Sequence, residues 1–126
     1  MPEQEVAFLF DDIVLWLSAG TDRDNEEQVL TSYHINGRWD PDVHQMRDAT
    51  GKLVNTDVAV IVEEKEEITI GSIMWLGLVQ DLPNPPTNLF KVIAICETRD
   101  IRARSPETQI GLVRYKNTLP NIVGSS

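Results

Sequence analysis

The residues in this chain best equipped for chemistry are charged and aromatic rather than nucleophilic. The stretch Arg99-Asp100-Ile101-Arg102-Ala103-Arg104 puts Arg99, Arg102 and Arg104 on one connection between two strand-like runs. Guanidinium forks grouped in this way suit carboxylates or phosphates. Their natural counterparts are two acidic loops, one with Asp22, Asp24, Glu26 and Glu27, the other with Glu63, Glu64, Glu66 and Glu67. The plain alternative is that all three are solvated loops with local ion pairs. Trp39 lies between Arg38 and Asp40 and is a candidate interface anchor. Trp16 and Trp75 sit inside apolar runs, where core packing is the expectation.

Metal and catalytic chemistry find little support. Asp40, Asp42 and His44, with His34 nearby, form the best metal constellation, but they share a face only if the segment is a strand. Pro41 favours a turn with polar flanks instead. The segment beginning at Asp22 alternates oxygen ligands as a calcium loop does. It has Glu27 where that loop needs glycine and Tyr33 where it needs a closing glutamate. There is no Gly-x-Ser-x-Gly elbow, no phosphate loop and no His-Glu-x-x-His. The Glu63–Glu67 run reads as a charged connection, not a paired acid and base. Cys96 is the single cysteine, inside an apolar run, and is expected to be buried and inert. No enzyme activity, metal or cofactor is therefore expected.

The elements that would position these residues are short strands. Residues 12–18 and 29–35 are strand-like, and Asn36-Gly37 predicts a hairpin turn after the second. A further turn is expected at 48–51. Residues 57–63 are apolar on both faces, as in a strand covered on both sides. Residues 68–79 read as an apolar strand interrupted by Gly71 and Gly77, which mark a bulge, a barrel corner or a close backbone approach. The proline-rich residues 81–88 must be an extended loop. Residues 89–96 and 110–115 make the last strands; residues 3–10 are ambiguous. Turn signals recurring at roughly ten-residue intervals predict an all-β fold, a small antiparallel β-barrel or sandwich with long loops. The 126 residues suit one domain, with a loosely held tail at 120–126.

Charge separates along the chain. The whole carries −9; residues 1–30 hold eight acids and one base, and residues 91–116 six bases and three acids. The net charge speaks against a nucleic-acid coat or an anionic membrane surface as the main partner. The acidic start does not resemble a basic secretory signal, and no apolar run approaches the roughly 18–20 residues of a membrane span. The expectation is a soluble protein made in a reducing cytosol. An acidic end and a basic arm suit head-to-tail association of identical subunits.

In order, Gly51-Lys52, the apolar run 57–62, Ile68-Thr69-Ile70-Gly71, the run 90–95 and Asp100-Ile101-Arg102-Ala103-Arg104 resemble the head–tail connector proteins of tailed bacteriophages. The head-closure or stopper subgroup is the nearer match. The resemblance covers residues 30–116; residues 1–30 and the loop 81–88 lie outside its pattern. It implies a virion structural protein of the neck, made in the host cytoplasm. Such a protein forms a homo-oligomeric ring between portal or adaptor and tail proteins and joins head to tail. The packaged DNA would be only a non-specific neighbour, passing acidic loops at 22–27 or 63–67, while Arg99, Arg102 and Arg104 bind a neighbouring subunit or ring. A tail terminator or capsid decoration protein is an adjacent reading. A different class is a small oligonucleotide-binding barrel using Trp39 and the arginines; a third is a metalloenzyme on Asp40, Asp42 and His44.

Overall fold

The chain alternates side chains across short β-branched runs, and such runs must pair to satisfy their backbone groups. The computed structural model describes residues 11–63, 67–98 and 107–123. Their strands are β1 (Asp11–Trp16), β2 (Ser18–Thr21), β3 (Glu27–Val29), β4 (Tyr33–Asp40), β5 (Gln45–Arg47), β6 (Leu53–Asn55), β7 (Val58–Glu63), β8 (Ile73–Leu76), β9 (Leu89–Thr98), β10 (Glu107–Tyr115) and β11 (Asn121–Ile122). Six of them close an antiparallel barrel in the order β1-β4-β7-β10-β9-β8. The expected all-β barrel is thus the fold. Closure matters physically because it leaves no free edge on runs as apolar as β7.

Alternation divides the apolar residues into two cores. Ile13, Leu15, Ile35, Val58, Val60, Val62, Met74, Val92, Ile110 and Leu112 point inward and fill the barrel. Their outward-facing neighbours Val14, Trp16, Ile73 and Leu89 form a second core with Val29 of β3. The cover on that side is the small sheet β11-β3-β2. A second cover is the β5–β6 hairpin, turned at Asp48–Gly51 as expected, with Asp48 Oδ1 accepting from the Thr50 and Lys52 amides. It lies over β10 at Gly111, where a Cβ would come 2.6 Å from Met46 Sδ and 2.8 Å from Thr56 Cγ2. The hairpin lies on the side where β7 reads as apolar on both faces, and the small sheet covers the outer apolar residues of β1 and β8.

A bulge keeps the inner face continuous. The β9–β10 register shifts between Gly111 and Leu112, so Gly111 faces Ala94 while Leu112 faces Val92. Ile93 is the extra residue, and Val92 and Ile95 both turn inward although they are three apart. The same phase turns Cys96 outward opposite Gln109, half-buried, where burial was expected.

Several local expectations are corrected. Asn36-Gly37 does not turn a hairpin; both residues lie inside β4, paired with Asp12 and Asp11 of β1. Neither has the positive φ that a two-residue hairpin turn demands. Gly37 serves a close approach instead, since a Cβ there would meet Ile61 O at 3.0 Å and Ile13 Cδ1 and Val60 Cγ1 at 3.1 Å. The long strand expected at 68–79 is only Ile73–Leu76, bounded by Gly71 at φ +93° and Gly77 at φ +143°. Gly71 makes the anticipated corner, its N–H donating to Val92 O. The strand expected at 29–35 is split between β3 and β4. Residues 82–88 form neither strand nor helix, as anticipated, whereas Asp81 ends a short 3-10 helix, Val79–Asp81. Of the tail expected to be loose, Asn121–Ile122 pairs in parallel with β3, and Val123 N–H donates to Val29 O. Residues 3–10 lie outside the described residues.

Candidate functional site

One end of the barrel concentrates aromatic and cationic groups. Inward positions of β4 run Ile35, Gly37, Trp39, and those of β10 run Ile110, Leu112, Arg114; Phe90 precedes Val92 on β9. The last inward position on each strand therefore carries Trp39, Arg114 or Phe90, where the barrel meets solvent. Trp39 and Phe90 pack on the core and on each other, edge to face, with centroids 5.1 Å apart and planes at 79°. Such a pair contributes roughly 0.5–1.5 kcal/mol beyond its buried area. The Arg114 guanidinium lies over the Phe90 ring at 5.7 Å. These residues line an open cleft of about 480 Å³ together with Pro41, Asp57, Val58 and Lys116.

Two aspartates fix the rim through the backbone. Asp11 Oδ2 accepts from the Trp39 amide at 2.8 Å, and Asp57 Oδ2 accepts from the Arg114 amide at 2.8 Å. Asp57 N–H in turn donates to Leu112 O. Neither Arg114 nor Lys116 has a carboxylate within ion-pair distance among the described residues. The cleft thus presents two cations, without a carboxylate partner among the described residues, beside an aromatic edge.

The acidic residues divide into two groups. Segment 22–26 is the β2–β3 hairpin tip, held by Asp22 Oδ1, which accepts from the Asp24 and Glu26 amides at 2.8 and 3.0 Å. Asn25 completes the turn at φ 62°. Asp24 and Glu26 are exposed. Glu27 does not stand free with them: its carboxylate binds Lys91 Nζ and accepts from Tyr115 OH at 3.4 Å, while Lys91 Nζ lies 5.9 Å from the Tyr115 ring centre. This contact docks the small sheet on the start of β9 and the end of β10. Glu67 is exposed, Glu63 ends β7, and Glu64 and Glu66 lie outside the described residues. Arg99, Arg102 and Arg104 also lie outside them, between Thr98 and Glu107, which pair with each other.

The Tyr115 phenol is held above its ordinary value of 10.0, first by burial and then by the Glu27 charge. A raised folded-state value means the neutral phenol favours the fold; this stability is complete below pH 10 and is lost as pH rises beyond it. Urea midpoints measured from about pH 8 to 11 should therefore fall more steeply for wild type than for Tyr115→Phe. Parallel curves would remove Tyr115 from the alkaline response.

Asp40, Asp42, His44 and His34 are not brought together. Asp40 Oδ1 accepts the Asp42 amide, and His34 Nε2 pairs with Asp12 Oδ1 at 2.7 Å on the outer face. Among the described residues no group of three or more His, Cys, Asp or Glu is arranged to hold a metal ion. Trp16 is core, Trp75 is half-buried against the second core, and Trp39 is half-buried at the barrel end, packed on the first core. Phe90, Arg114 and Lys116 were not singled out from sequence. The Ile110-x-Leu112-x-Arg114 alternation carries the signal that would have placed Arg114 on the inner face. No family model, curated protein or solved structure matches this chain.

Proposed function

We propose that this chain is a structural component of a tailed-phage neck, of the head-closure type, working as a homo-oligomeric ring between portal or adaptor and tail. One observation supports this reading most. The acidic hairpin is docked through Glu27 at Lys91 and Tyr115, whereas the arginine segment departs from Thr98 and returns at Glu107, the opposite ends of β9 and β10. From Lys91 to Thr98 is about 20 Å of strand. The end of the ribbon that holds the acidic hairpin also holds the Arg114–Lys116 cleft, so one rigid end carries an acidic and a cationic patch suited to contacts between copies. The filled barrel supplies a stiff spacer, and the acids of 63–67 would line a channel along which DNA slides without sticking. Arg99, Arg102 and Arg104 would bind the adjoining ring.

Light scattering of the chain alone and mixed with portal, adaptor and tail proteins tests this. The expected result is a mass increment in whole-ring stoichiometry. A chain that stays single in every mixture rejects the reading. A second reading, an oligonucleotide-binding barrel, is favoured by the Trp39–Phe90–Arg114 cleft. Its signature would be binding of single strands that weakens steeply with salt.

A further inference from the structure

We propose that the open end of the barrel is the subunit contact of the ring, and that its occupant is the acidic β2–β3 tip of a second copy. This rests on the neck reading and names its lateral interface. On the receiving side, Arg114 is seated over Phe90 and Lys116 stands beside it, both without a carboxylate partner among the described residues. Asp57 adds one acid to the same rim, its carboxylate turned to the Arg114 amide. On the donating side, Asp24 and Glu26 are exposed on a turn already closed by Asp22, with Arg23 just before Asp24. Arg114 and Lys116 with Asp57 carry one net positive charge, and Asp22, Asp24 and Glu26 with Arg23 carry two net negative ones, a complementary pattern available on every copy.

Among the described residues of one chain, no carboxylate of the tip lies within ion-pair distance of Arg114 or Lys116. Glu27 anchors its own hairpin beside Tyr115, on the outer face of β10, while Arg114, the preceding residue, points to the barrel end. The tip is also pre-formed, so docking orders little new chain and costs little entropy. The contact joins two different patches, so repetition generates a ring or a filament rather than a two-fold dimer. A tip tied down at both Asp22 and Glu27 suits a protein contact better than a surface along which DNA must slide. The channel role therefore falls to 63–67.

Charge exchange tests the contact. Arg114→Glu with Lys116→Glu, and separately Asp24→Lys with Glu26→Lys, should each weaken self-association by roughly tenfold or more in sedimentation velocity, with unchanged circular dichroism. The chain carrying all four changes should regain association, which a misfolded variant could not do. If wild type assembles and both reversed variants assemble equally well, this contact is wrong and the ring reading stands. If wild type stays single with and without portal complex, both fall. Binding of labelled oligothymidylate to wild type, lost in Arg114→Glu, would overturn the proposal in favour of a nucleic-acid strand.

Discussion

Truncating Trp16 to alanine is expected to lower unfolding free energy by about 3–5 kcal/mol. Trp16 is 2 % exposed and pairs with Ile73 across β1 and β8. Its side chain does not face the barrel interior; it joins Val14, Val29, Ile73 and Leu89 in the second core, between the barrel wall and the small sheet. Removing the indole leaves a cavity that this sheet cannot collapse into, because Glu27 and the β11 pairing hold it in place. Urea denaturation gives the magnitude. Hydrogen exchange should add that amides of β3 and β11 lose protection before those of β7 and β10, since the barrel closes without them. A loss below about 1 kcal/mol would mean that the small sheet contributes little to the fold.

Gly37→Val is expected to cost about 3 kcal/mol, the upper part of the overpacking range. A Cβ at this position already meets Ile61 O at 3.0 Å, and that oxygen belongs to a backbone locked in the β4–β7 pairing. The other contacts, Ile13 Cδ1 and Val60 Cγ1 at 3.1 Å, are core side chains with no free volume to enter. The two γ-carbons of valine extend the clash, so β4 must move away from β7. That displacement carries Trp39, two residues on, away from Phe90. The variant should lose the Trp39–Phe90 contact, seen as altered near-ultraviolet circular dichroism, along with stability. Wild-type stability and spectrum would show that β4 has slack the packing does not display.

These two positions illustrate what local pattern can and cannot convey. Trp16 was legible as a core residue because it sits in an apolar run, but nothing local says which of two cores it enters. That depends on whether β1 is counted from its inner or outer face, and the face follows from pairing with β4 and β8. Gly37 misleads for a related reason. Asn-Gly permits a tight hairpin, but the same absence of a Cβ permits close strand packing, and the choice rests on β7, more than twenty residues away. The candidate site divides similarly. Trp39 stood out beside charged neighbours, whereas Phe90, Arg114 and Lys116 are unremarkable in their own segments. They become a site only because closure brings the ends of β4, β9 and β10 together. Glu27 looked like one more acid in a loop, and its pairing with Lys91 spans 64 residues.

The amino-acid pattern by itself determined the all-β class, the loop at 82–88, the turn at Asp48–Gly51, the split between an acidic start and a basic late segment, and the strand character of residues 57–63. Each follows from properties that neighbouring residues share: alternation, proline geometry, side chains that cap their own turn, and local charge. Tertiary structure alone decided the closed strand order, the two cores, the bulge at Ile93 and the aromatic-cationic barrel end. Those features depend on contacts between segments far apart in the chain, where the cost of a buried backbone or side chain is set by whatever packs against it.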